Sequence, residues 1–251
     1  MEYLTMNSGS LIEIFLVFNK IKHQLNISME TEVDYRFDYK FSSSLGLLEE
    51  NRYVKEICID IIREEIREES YQSKAEIKVG NAQITVFLLR PAHEAGYSTF
   101  EVLDTSVEYC WIYDFLFDSK THNYRDSIIE QCGEDVYFMG SNIVLFHRIN
   151  ILPEYRGKGL CAKLTKDVYD FFSNACGIML LQPYPLQHEH KVCTKEDEKQ
   201  FKKDLKKLVT YYKSMGFKMF KEMIEDRNLM FICPAYNNEK MQSISLDENI
   251  L

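Results

Sequence analysis

The chain has 251 residues and 30 Lys+Arg against 39 Asp+Glu, a formal net charge of −9. That length buries a sizeable core, and 45% apolar with 27% charged residues excludes wholesale disorder. The negative balance disfavours general binding to nucleic acid or anionic membrane. Residues 191–221 nevertheless hold ten lysines against four acids, so this stretch is +6 and the remainder −15.

The elements follow in chain order. Residues 11–25 are apolar but interrupted by Glu13, and no basic cluster precedes them. Neither a signal peptide nor a membrane span fits, and periodicity does not choose between helix and strand there. Residues 31–41 alternate apolar and polar and predict a half-buried strand. Residues 54–69 predict a helix whose Ile-Arg-Glu-Glu echo is a solvated charged face. From residue 75 the pattern turns to strands: 75–79 and 82–90 predict a hairpin turning at Gly80-Asn81. Residues 98–118 predict a helix packed on a sheet. A second strand pair is expected at 136–140 and 142–151, turning at Gly140-Ser141. Residues 177–182 form a continuous apolar run and predict a central strand covered on both faces. Another strand is expected at 229–233, and the polar residues 237–251 read as a flexible tail. The seven cysteines (58, 110, 132, 161, 176, 193, 233) form no Cys-x-x-Cys pair, which predicts reduced thiols and a cytoplasmic protein.

The most informative stretch is Asn150-Ile-Leu-Pro153-Glu-Tyr-Arg156-Gly157-Lys158-Gly159-Leu160-Cys161-Ala162. A strand enters a turn with two glycines, and an amphipathic helix follows, with Leu160, Leu164, Val168 and Phe171/Phe172 at helical spacing. Glycine-rich backbone at a helix N-terminus turns several N–H groups and the positive dipole end toward one point, which makes an anion cradle. The alternative is a plain strand–helix connection with surface basic residues. Neither the Walker pattern nor the Gly-x-Gly-x-x-Gly fingerprint occurs here. A second helix is expected over 196–213, with Phe201, Leu205, Leu208 and Tyr212 on one face. Thr194-Lys-Glu-Asp197 would cap its start, and Gly216 would mark its end.

Arg156-Gly157-Lys158-Gly159-Leu160-Cys161 after Pro-Glu-Tyr resembles the acetyl-CoA motif of the GCN5-related N-acetyltransferases, Arg/Gln-x-x-Gly-x-Gly/Ala. It departs from that pattern at Cys161, where the family usually has Gly or Ala. The Tyr212-x-x-x-Gly216-Phe217 ending resembles the family's late helix, and the order of elements over 142–233 is similar too. The resemblance implies an α/β fold, with a mixed, twisted central sheet and helices on both faces. It divides the chain into an N-terminal α/β extension of unknown role (1–75), an acyl-CoA N-acyltransferase domain (76–236) and a polar tail (237–251).

It also implies direct transfer of an acetyl group from acetyl-CoA, as cosubstrate, to an unidentified amine acceptor in a ternary complex. Ile149, Asn150 and Ile151 would hold the pantetheine arm and polarise the thioester, while Gly157 to Ala162 (Lys158, Gly159, Leu160 and Cys161 among them) and Arg156 would take the pyrophosphate. Tyr212 would protonate the departing thiolate; its alternative is a core aromatic. His147 would be the general base, expected on one strand face with Ile143, Leu145, Ile149 and Ile151; its alternative is a hydrogen-bonded core histidine. Cys161 as an acyl-enzyme nucleophile is the lesser option. The His188-Glu-His190-Lys-Val-Cys193 cluster reads as a loop, so no metal is expected. Two other readings stand beside the enzyme: a non-catalytic CoA-sensing module, and a nucleic-acid (tRNA) binder using residues 191–221. A homodimer is open.

Overall fold

The computed structural model describes residues 32–42, 49–67, 72–132, 142–189, 194–221, 228–234 and 238–246. Three long strands, β1 (Glu32–Ser42), β2 (Val54–Arg67) and β3 (Gln72–Phe87), form an antiparallel meander. Four short helices follow: α1 (Leu89–Glu94), α2 (Thr99–Leu103), α3 (Val107–Leu116) and α4 (Asp126–Cys132). Then come β4 (Asn142–Ile151), α5 (Leu160–Phe172), β5 (Cys176–Leu181) and α6 (Lys195–Ser214). Strands β6 (Lys218–Met219) and β7 (Met230–Ile232) and the short α7 (Glu239–Gln242) complete the described chain. Among the described residues seven strands make one sheet in the order β1-β2-β3-β4-β5-β7-β6, in which β4 and β5 pair in parallel and the others antiparallel.

Alternation along the central strands sorts their side chains into two core layers. Phe87, Ile143, Leu145, Ile178, Leu180 and Phe231 pack with α1–α4. Ile84, Val86, Val144, Phe146, Met179, Leu181 and Met230 pack with Leu160, Leu164 and Val168 of α5 and Tyr212 of α6. Helices therefore cover both faces of a mixed sheet, the fold class expected from the sequence. All six residues of β5 are buried, as its continuous apolar run predicted.

Several expectations differ. Residues 54–67 are strand, not helix: Ile57, Ile59 and Ile61 alternate into one core layer, and pairing to both β1 and β3 overrides the helical charge pattern. The stretch predicted as a hairpin is one strand, because Gly80 and Asn81 continue the ladder to both β2 and β4. A side chain at Gly80 would put its Cβ 2.6 Å from the Asn150 carbonyl oxygen, so this glycine serves close strand approach rather than a turn. Residues 98–118 break into α2 and α3, each started by a serine: Ser98 accepts from the Glu101 amide and Ser106 from the Glu108 amide. Residue 75 lies inside β3, and β1 and β2 belong to the same sheet as the rest. In the expected tail, Asn238 caps α7 and Met241 is fully buried. Phe171 is largely exposed, so the inward face of α5 ends on Val168 and Tyr169, with Phe172 partly buried. The stretches 11–25 and 136–140 and residues His190 and Cys193 lie outside the described residues. The six described cysteines are free. Among the described residues no helix is long and apolar enough to cross a membrane.

Candidate active site

The parallel pair is hydrogen-bonded only from Asn142↔Cys176 to Phe146↔Leu181. Beyond Phe146, β4 runs on to Ile151 while β5 has ended, so among the described residues the last five of β4 keep β3 on one side and no strand on the other. A β-bulge marks the same point. Gln83 pairs with Arg148 and Ile84 with Phe146, which leaves His147 as the extra residue on β4. The bulge flips the alternation. Ile143 and Leu145 face the α1–α4 layer, whereas Ile149 and Ile151 pack in the α5–α6 layer. The expectation that His147 shares one face with all four isoleucine and leucine positions is therefore corrected.

A cavity of about 940 Å³ occupies this opening. Of the expected site residues it is lined by His147, Ile149, Asn150, Ile151, Arg156, Gly157, Gly159, Leu160, Cys161 and Tyr212. Lys158 and Ala162 do not line it; the Lys158 ammonium lies over the Tyr155 ring, 5.5 Å from its centroid.

The cradle is built by two left-handed glycines. Gly157 has φ +78° and Gly159, the N-cap of α5, has φ +75°. These angles are costly for any residue with a Cβ. The space above both is open to 4 Å. No side chain caps α5, and its first intrahelical bond is Lys163 N–H to Gly159 O. The amides of the first turn thus point beyond the helix with its positive dipole end. Arg156 donates Nε to the Ile151 carbonyl at 2.8 Å, which ties the turn to the end of β4.

His147 stands on the α1–α4 side. Its Nε2 lies 2.8 Å from Thr85 Oγ1, and the ring packs against Tyr109 at 5.8 Å. Burial pushes the imidazole below its ordinary pKa, and the carboxylates of Glu108 and Glu56 partly oppose this. The ring is therefore neutral, a proton acceptor, at neutral pH.

Tyr212 is buried at the end of α6, where the Phe217 amide returns to its carbonyl at 3.1 Å and Gly216 takes φ +100°. Burial raises its phenol well above the ordinary value, so it stays protonated and able to donate. The Cys161 thiol sits beside the phenols of Tyr211 and Tyr212, and burial pushes it up to about 11. The nucleophile option required a lowered thiol pKa, whereas here burial outweighs the hydrogen bonds from Tyr211, Tyr212 and Thr165 that would lower it.

The sequence left much of the far wall unassigned. The segment that leaves β5 borders the cavity with Gln182, Tyr184, Pro185, Leu186 and Gln187, and Tyr184 packs on Phe201 of α6. Asp204 holds the segment down: it accepts from Gln187 Nε2 at 3.4 Å and His188 Nε2 at 3.0 Å, and pairs with Lys207. These contacts hold its carboxyl below the usual range. The Arg148–Glu189 ion pair closes the same loop onto β4. Tyr211, Asp204 and Lys207 line the cavity too. The i, i+3, i+4 and i+7 spacing of 204, 207, 208 and 211 from the assigned face of α6 was the available signal. Among the described residues no cluster of His, Cys, Asp or Glu could hold a metal ion.

No family model matches the chain, and no curated protein matches it. Among solved structures it is similar to the KacTA–DNA complex, at 9% identity over 82% of this chain and 97% of that one, with a TM-score of 0.37. It is similar to AtaTR bound with AcCoA at 10% identity over 81% and 94%, TM-score 0.34. The loading GNATL domain of CurA from Lyngbya majuscula is similar at 11% identity over 80% and 98%, TM-score 0.30. At these scores the chemistry of the site stands on its own geometry.

Proposed function

We propose that the chain is an acetyl-CoA-dependent N-acyltransferase that moves an acetyl group directly to an amine. The observation that carries this reading is the unpaired end of β4 facing a cavity whose other border is the uncapped N-terminus of α5. A long, flexible thioester with a pyrophosphate suits that arrangement: its anion meets the first-turn amides, and its arm lies along the free edge of β4. On this reading the transferase unit includes β1 and β2.

Backbone groups at Ile149, Asn150 and Ile151 hold the arm and stabilise the oxyanion that forms when the amine attacks the thioester carbon. His147 takes the proton the ammonium must lose, and its depressed pKa keeps it neutral for the task. Collapse of the tetrahedral intermediate breaks the C–S bond; Tyr212, held protonated by burial, gives its proton to the departing sulfur, and the proton shed by the new amide nitrogen restores the phenol. No acyl-enzyme is needed, in keeping with the raised Cys161 thiol.

Release of free CoA thiol, followed across a panel of primary amines with acetyl-CoA, tests the reading. The expected result is amine-dependent thiol release with one acetyl amide formed per thiol. Hydrolysis alone, or no release with any amine, counts against it.

A further inference from the structure

A threonine, a tyrosine and a glutamate behind His147 join three elements on the α1–α4 side of the sheet. His147 Nε2 is 2.8 Å from Thr85 Oγ1, Thr85 Oγ1 is 3.3 Å from the Tyr109 hydroxyl, and that hydroxyl is 3.4 Å from Glu56 Oε1. Glu56 and Thr85 are cross-strand partners on β2 and β3, so the pairing register itself aligns them. Thr85 is fully buried in a strand whose neighbours are apolar, a position where an idle hydroxyl is a cost.

The direction of the chain follows from counting protons. An ionised carboxylate only accepts, so Tyr109 spends its single proton on Glu56. The Tyr109 oxygen then accepts from Thr85, which spends the only proton of its hydroxyl. Thr85 Oγ1 can therefore only accept from the ring. We propose that Glu56, Tyr109 and Thr85 are positioning residues that fix His147 as its Nε2–H tautomer and leave Nδ1 as the lone pair that acts as base. This rests on the role given to His147 above, and adds which nitrogen acts and what selects it. When Nδ1 takes the ammonium proton, the ring becomes imidazolium with its Nε2–H still on Thr85, and the Glu56 charge stabilises it along the chain. The charged and titratable groups facing the ring are Glu56 on β2 and Glu108 and Tyr109 on α3.

Nitrogen-15 NMR of the full chain labelled in histidine reads the tautomer without any ligand, and His147→Gln identifies the signals. The expected spectrum at neutral pH has Nε2 protonated and Nδ1 bare. Thr85→Val, which keeps shape but removes the hydroxyl, should give a mixture of tautomers and lower kcat about tenfold with KM for acetyl-CoA unchanged; Thr85→Ser should restore both. Glu56→Gln, at an exposed position, should lower the titration midpoint of the ring and move the acid limb of the pH–rate profile the same way. An Nδ1–H ring in the wild-type protein, or an unaltered tautomer in Thr85→Val, would overturn the proposal. These outcomes are independent of acetyl-CoA binding, so a failure of the transferase reading is seen separately.

Discussion

At the scale of single residues, burial sets the protonation of three groups around the cavity. Tyr212 stays neutral because it is buried, so Tyr212→Phe should lower kcat by about 10- to 100-fold and leave the Kd for acetyl-CoA unchanged, as read by steady-state rates beside calorimetry. The folded His147 ring binds a proton less readily than the unfolded one. Below the unfolded value of about 6.5 the unfolded chain takes up the extra proton, so stability falls as pH drops through that region. Thermal melts between pH 5 and 8 should show this loss, and His147→Gln should flatten it. Cys161, raised to about 11, should carry no acetyl adduct when the protein is incubated with acetyl-CoA and examined by intact-mass spectrometry; a stoichiometric adduct there would reinstate the covalent route. What could be read at this scale was residue type, not orientation. His147 was visible as a titratable residue near the motif, but an extra residue in a ladder exists only relative to its partner strand, and Gln83 and Ile84 lie more than sixty positions away. Tyr211 was visible only as the neighbour of Tyr212, yet α6 turns both phenols toward Cys161.

Among the elements, the local signals that proved decisive were those with short-range physics. The Thr194–Asp197 capping box forms as expected, with Thr194 Oγ1 accepting from the Asp197 amide at 3.1 Å and the Asp197 carboxylate accepting from the Thr194 amide at 3.2 Å. Thr194→Ala should cost about 1 kcal/mol, measurable by urea unfolding. The two glycines that start α5 were legible because glycine takes a left-handed backbone at no steric cost. Residues 54–67 were misread because their isoleucines fit either period. The alternation 57, 59, 61 is decided by β1 and β3, which hydrogen-bond it on both sides. Charge on this segment also pairs across strands: Asp60 of β2 lies between Lys40 and Lys78, each at 2.5 Å. Gly80 is a similar case, since a turn signal and a close-approach signal are the same residue until the neighbour is known. Gly80→Ala should push β3 from β4 and destabilise the fold by about 1–3 kcal/mol. A stability unchanged from wild type would mean that the Asn150 carbonyl yields without loss.

For the whole molecule, net charge conceals a division. The −9 average combines a −15 body with a +6 segment that contains α6. The +6 already counts the acids interleaved with its ten lysines, and two of them pair within the helix as Lys202–Glu198 and Lys207–Asp204, as in a solvated face. Arg156 and Lys207 border the cavity itself, beside the helix N-terminus that would meet a phosphate. The sheet is larger than the motif region implied, because β1 brings Tyr35, Phe37 and Tyr39 onto the layer that supports α5. Tyr39 donates to Asp167 at 2.6 Å and stacks on Phe171, so the first described strand braces the helix that forms the cradle. No local pattern in residues 32–42 announces that partner; it follows from topology alone. On the proposed function the opening beyond Phe146 is a seat for acetyl-CoA. Calorimetric titration of the full chain with acetyl-CoA should then give saturable binding near one ligand per chain, weakened in Gly159→Val, where a branched side chain is forced into a left-handed backbone over the cradle. No detectable heat or displacement at millimolar acetyl-CoA, or equal affinity in Gly159→Val, would contradict it.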